Sequence, residues 1–82
     1  MNTTSLEKDI LQKMLKHGYI GNRHTSIDNI PKGFPKHLRG NVKKALKKLN
    51  KKGYLKVKPT SYGLEISLNP ETIKEIIKII QE

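Results

Sequence analysis

Leu6, Ile10 and Met14, joined by Leu11 and Leu15, recur at helical spacing and form one apolar stripe. The stripe predicts a first helix over about residues 5–17. Thr4 and Glu7 have the spacing of a capping box, in which each side chain satisfies an orphan backbone donor at the helix start. Gly18 is a natural stop. Tyr19 to His24 reads as a connection with room for a short strand.

A second, shorter helix is predicted over about residues 26–30. Thr25 or Ser26 would cap it, Ile27 and Ile30 would face inward, and Pro31 would limit it. Pro31-Lys32-Gly33-Phe34 reads as a turn in which Gly33 is free to take a positive φ. Phe34, the one phenylalanine, is a candidate core anchor.

The third helix is the longest, over about residues 35–52, with Pro35 at its first position and Gly53 closing it. Leu38, Val42, Ala45, Leu46 and Leu49 make an unbroken stripe. At ~100° per residue, the opposite face carries Lys36, His37, Gly40, Lys43, Lys44, Lys47 and Lys51. Arg39, Lys48 and Lys52 flank it, and Asn41 leans to one side.

Alternation then replaces helical spacing. In 54–58, Leu55 and Val57 face one way and Tyr54, Lys56 and Lys58 the other. In 64–68, Leu64, Ile66 and Leu68 alternate with Glu65 and Ser67. Turn chemistry over 59–63 joins them, so 53–69 reads as a hairpin, with Tyr54 packed at its base. A last helix is predicted over about residues 70–81, with Asn69 as cap and Pro70 at the first position. Five isoleucines fall within Ile73 to Ile80. Ile73, Ile76, Ile77 and Ile80 are read as one stripe, with Ile79 off it.

Charge changes this picture. The 82 residues hold 17 Lys and Arg against 7 Asp and Glu, a net charge of +10. Between Asp28 and Glu65 there is no acid at all, so the third helix and the hairpin form a cationic block. Its lysines lack the interleaved glutamates of an ordinary solvated helix. Lysines along one helix face can replace counterions on a phosphate backbone. The length predicts one domain over residues 1–82. Polar residues from Met1 to Lys8 and the absence of a long apolar run argue against a signal peptide or a membrane span. The absence of cysteine fits a reducing cytoplasm, which is the expected location.

The order of helix, short helix, turn, long helix, hairpin and helix resembles the winged helix-turn-helix family from about Ser5 to Gln81. The stretch HTSIDNIPKGFPKHLRG, followed by KKGYLKVKPTSYGLEISLNP, is similar to a group of small archaeal winged-helix proteins of unassigned role. The resemblance implies an α+β, mainly α fold with a three-helix core, a β-hairpin wing and a C-terminal helix. It also implies that 35–52 is a recognition helix for the major groove. The nucleic-acid contacts it points to are Lys36, His37, Arg39, Gly40, Asn41, Lys43, Lys44, Lys47 and Lys51. On the wing they are Lys56, Lys58, Thr60 and Ser61, with Tyr62 beside them. Because Lys is a point charge, only Arg39, His37 and Asn41 are suited to reading base edges. Strong phosphate binding with modest sequence preference is expected.

Gly40 admits two readings: a close approach to a backbone, or a neutral position in a long helix. The isoleucine strip also admits two. It would pair two copies through Ile73, Ile76, Ile77, Ile79 and Ile80, or it would cover its own core beside helix 1. The homodimer is the expectation, because Ile79 falls off the stripe.

No cofactor, metal or small-molecule ligand is expected. His17, His24 and His37 cannot assemble four zinc ligands without cysteine. His24 reads instead as a hydrogen-bonding group beside Thr25 and Asp28. No paired carboxylates, nucleophile elbow, phosphate loop or dinucleotide fingerprint is present, which excludes the usual catalytic constellations. The expected function is non-enzymatic binding of duplex DNA, in the manner of a transcriptional regulator. An RNA- or ribosome-associated protein and a protein-interaction module are the alternatives.

Overall fold

The computed structural model describes residues 3–82. Met1 and Asn2, the start of the polar N-terminal stretch, lie outside them. Among the described residues four helices and one three-stranded antiparallel sheet form an α+β fold that is mainly helical. The layout is compatible with a winged-helix-like arrangement.

Helix α1 (Ser5–His17) starts at the expected capping box. The Glu7 N–H donates to Thr4 Oγ1 at 3.1 Å, and the Thr4 N–H donates to Glu7 Oε1 at 2.9 Å. Gly18 ends the helix in the left-handed region, φ 74°. Ile10, Leu11 and Met14 are fully buried.

The next segment differs from expectation. Thr25–Ser26 is a strand, β1, and not a helix cap. It pairs with the later strand β3 (Gly63–Leu68), Thr25 opposite Ile66 and Ser26 opposite Glu65. Covering that strand edge satisfies more backbone than capping one short helix. Helix α2 is therefore displaced to Asn29–Lys32, with Asp28 at its cap position making no side-chain bond. Pro31 lies inside α2 and does not end it, because first-turn N–H groups have no intrahelical acceptor to lose. Gly33 has φ −78°, so the expected positive φ is not used. Its N–H bonds to the Ile30 carbonyl in a right-handed turn. Phe34 is buried, as its role as core anchor requires.

The long helix is shorter than expected. Lys36–Leu38 is a 3₁₀ turn, and helix α3 runs from Arg39 to Lys51. Pro35 is extended, φ −55° and ψ 150°, and so precedes the turn as its cap. Val42, Ala45, Leu46 and Leu49 are buried. Gly53, φ 88°, lets the chain reverse, and the Tyr54 N–H bonds back to the Leu49 carbonyl.

Strand β2 (Leu55–Thr60) pairs with β3 over its full length. The strands reach further into the expected turn than alternation implied. Pro59 pairs with Leu64 and Thr60 with Gly63, leaving Ser61 and Tyr62 at the tip. The sheet order is β1-β3-β2, so β2 is an edge strand and tolerates a proline. Ile20 adds one parallel bridge to Leu68.

At the C-terminus, Pro70–Thr72 is a 3₁₀ turn and helix α4 runs from Ile73 to Gln81. Asn69 caps the turn, its Oδ1 accepting from the Glu71 N–H at 3.1 Å. The Thr72 hydroxyl donates to the Asn69 carbonyl at 3.1 Å, which holds this first turn tight. One core joins all of these elements, from Ile10 and Met14 through Leu46 and Leu49 to Ile66, Leu68 and Ile76. No helix among the described residues is long and apolar enough to cross a membrane.

Candidate nucleic-acid interface

Burial of one stripe of α3 dictates what its other residues do. Leu46 and Leu49 anchor the helix, so Lys43, Lys44, Lys47, Lys48 and Lys51 are exposed along its outer surface. Lys36 and His37, in the preceding 3₁₀ turn, extend the exposed face toward its N-terminal end. Among the described residues, none of these lysines has a carboxylate oxygen within 4.0 Å. Their charge is left for solvent or for a ligand.

The helix has two sides. Asn41, Lys44 and Lys48 border a shallow groove against Thr4 and Leu6 at the start of α1. Lys43, Lys47 and Asn50 border a different groove, between α3 and the hairpin. Gly40 lies exposed, and a Cβ there would meet nothing within 4 Å. Arg39 is half-buried, and its Nε points back to the Phe34 carbonyl at 3.4 Å. That contact is long and uses Nε alone.

The wing residues divide. Lys56 pairs with Ser67 and Lys58 with Glu65 on one sheet face; Leu55, Val57 and Leu64 lie on the other. The second face turns toward α3, so Lys56 and Lys58 stand on the side of the hairpin away from the helix lysines. The sheet thus separates residues that charge patterning had grouped. At the tip, Thr60 Oγ1 donates to the Gly63 carbonyl at 2.7 Å and accepts from the Tyr62 N–H at 3.2 Å. Ser61 is exposed and Tyr62 is 98 % exposed. The hydroxyl of Thr60 stiffens the turn, which presents Tyr62 clear of the protein.

One lysine–carboxylate ion pair and one histidine–carboxylate contact form among the described residues, and neither was legible in the sequence. His24 Nδ1 meets Glu65 Oε1 across the β1–β3 region. This corrects the expectation that His24 bonds locally to Thr25 and Asp28. Thr25 is instead engaged by Asn29, whose Nδ2 donates to its hydroxyl at 3.0 Å. The ion pair joins Lys52 to Glu7, Nζ to Oε2 at 3.3 Å. Burial pushes the Glu7 carboxyl up, but the Thr4 N–H, the Lys52 ammonium and the Thr4 hydroxyl outweigh it and hold the group below its ordinary value. Lys52 is therefore committed to the core edge and not to the cationic face. No three of His, Cys, Asp and Glu come together among the described residues.

Helix α4 corrects the expected placement of Ile77 and Ile79. Ile76 is fully buried, and Ile73, Ile79 and Ile80 pack half-buried against the same core. Ile77 is the one that points outward, at 39 % exposed. Residues three or four positions from Ile76 share its face, so Ile79 belongs to the stripe and Ile77 does not. The argument for a homodimer rested on Ile79 facing away. The strip is largely spent on the chain's own core.

Sequence reasoning passed over Leu64, Asp28 and Asn50, which meet Lys43 and Lys47 at one groove. Alternation grouped Leu64 with Ile66 and Leu68; no sequence signal showed that it is left 45 % exposed. No protein-family model, curated protein or solved structure matches the chain.

Proposed function

We propose that the chain is a winged helix-turn-helix protein that binds double-stranded DNA without catalysing a reaction, as a cytoplasmic transcriptional regulator. In this reading α2 and α3 are the helix-turn-helix, α3 enters the major groove, and the β2–β3 hairpin is the wing. The order α1-β1-α2-α3-β2-β3 and the antiparallel pairing of β1 with β3 support it. So does the run of unpaired lysines on the outer face of α3, which is the observation that carries the proposal. Lys36, Lys43, Lys44, Lys47 and Lys51 hold phosphates, and Arg39, His37 and Asn41 reach base edges. Thr60, Ser61 and Tyr62 contact the strand beside the wing tip, while Lys56 and Lys58 add to the long-range field.

The test is the salt dependence of binding to random duplex DNA. Log affinity should fall linearly with log salt, with a slope set by the number of phosphates engaged. Absence of measurable duplex binding near physiological salt overturns the reading. A second reading has one observation in its favour. An almost fully exposed tyrosine at a hydrogen-bonded hairpin tip suits stacking on an unpaired base, in RNA or at a duplex end. Direct competition between duplex DNA and structured RNA separates the two.

A further inference from the structure

A groove of about 380 Å³ runs between α3 and the inner face of the hairpin. Its floor is apolar: Leu46 from α3, Leu55 and Val57 from β2, Leu64 and Ile66 from β3. Lys43, Lys47 and Asn50 line its α3 side. Asp28 lines it too, so two basic residues and one acidic residue border the groove. Leu64 is 45 % exposed on that floor.

Phosphate backbone gains nothing from such a floor, because an apolar surface cannot replace the water that a phosphate loses. Nor does a purely apolar ligand use the two lysines. The combination fits a molecule with an apolar body and one anionic end, and the volume lies within the range of small-ligand sites. We propose that this groove binds a small amphiphilic carboxylate, of the medium-chain fatty-acid class. The chain lies over Val57 and Leu64, the floor residues with surface left to cover, and the carboxylate meets Lys43 and Lys47. The same two lysines stand on the cationic face of α3. An occupied groove therefore withdraws them from a polyanion, so the ligand and nucleic acid bind in competition. That last step rests on the nucleic-acid reading above; the binding step does not.

The experiment titrates octanoate and decanoate, below their micelle concentrations, into the full chain without nucleic acid and follows backbone-amide and methyl NMR shifts. Saturable shifts should be largest at Val57 and Leu64 and fall off through Leu46 and Ile66 beneath them. Two added methylenes should tighten binding on the order of tenfold. Replacing both cations, Lys43→Gln with Lys47→Gln, should weaken decanoate binding roughly tenfold, at a few-fold per exposed charge pair. Leu64→Asp should abolish saturation while the rest of the amide spectrum stays in place. Scattered or non-saturating shifts, indifference to chain length, or unchanged affinity in the lysine double variant overturns the site. A second arm adds decanoate to a preformed complex with duplex DNA and expects release. Retained duplex at saturating decanoate overturns the competition. A chain that takes decanoate but no duplex leaves the site standing and overturns the nucleic-acid reading alone.

Discussion

Lys52 Nζ lies 3.3 Å from Glu7 Oε2 and joins the end of α3 to the first turn of α1. Glu7 is 2 % exposed, and the same carboxylate closes the α1 capping box through Oε1. One buried group thus fixes a helix start and the distance between two helices. Removing its partner strands a charge. Lys52→Met should cost about 2 kcal/mol, between the values for exposed and buried pairs. Urea denaturation reads the loss, and a change below 0.5 kcal/mol would show that the pair is slack.

The same carboxylate sets a pH dependence. Its value in the fold is lowered, so its contribution is fully present above the ordinary carboxylate range. That contribution disappears as the pH falls through the folded value. Glu7→Gln should be less stable than the parent at pH 7, and the gap should narrow as the pH is lowered below the unfolded carboxylate value. Denaturation midpoints of both proteins at a series of pH values test the sign.

The cationic face makes a graded prediction. Lys43→Ala, Lys44→Ala and Lys47→Ala should each lower the salt slope of duplex binding by roughly one. Lys56→Ala and Lys58→Ala should change it less, since both lysines stand on the sheet face away from α3. Equal effects in the two groups would mean that the ligand wraps both sides of the hairpin.

Much of this arrangement was legible in residue order, and the exceptions have physical causes. The capping box, the Gly18 and Gly53 stops and the α3 stripe are local, so spacing along the chain is enough to read them. Thr25 and Ser26 were misread because a polar pair before an isoleucine suits a cap and an edge strand equally. Only the arrival of Ile66 and Glu65 decides between the two. Ile77 and Ile79 were exchanged because a nine-residue helix made almost entirely of isoleucine and charge offers little to fix the stripe's centre. The Glu7–Lys52 pair spans 45 positions and leaves no local trace. Alternation placed Lys56 and Lys58 on one sheet face, but which face looks at α3 is tertiary information.

Helix α4 should behave as core. Ile76→Ala removes a fully buried side chain and should cost about 2–5 kcal/mol. Ile77→Lys, on the exposed side, should stay within about 0.5 kcal/mol. Sedimentation should give a monomer for the parent and the same mass for Ile77→Lys. A parent dimer that the lysine dissociates would place the interface on α4.

Gly40 offers the cleanest separation of fold from function. A Cβ at this position meets nothing within 4 Å, and the residue lies inside α3 on its exposed side. Nothing in the fold requires glycine there, and its backbone freedom costs the helix about 0.5–1 kcal/mol relative to alanine. Gly40→Ala should therefore raise the denaturation midpoint. Its effect on binding is decided by what approaches the helix. A nucleic-acid backbone brought close against α3 would meet the new methyl, and affinity should fall several-fold while stability rises. Opposite signs for the two measurements would identify Gly40 as the point of closest approach. A more stable protein with unchanged affinity would make it a neutral position in the helix and move the contact toward Lys43 and Lys47.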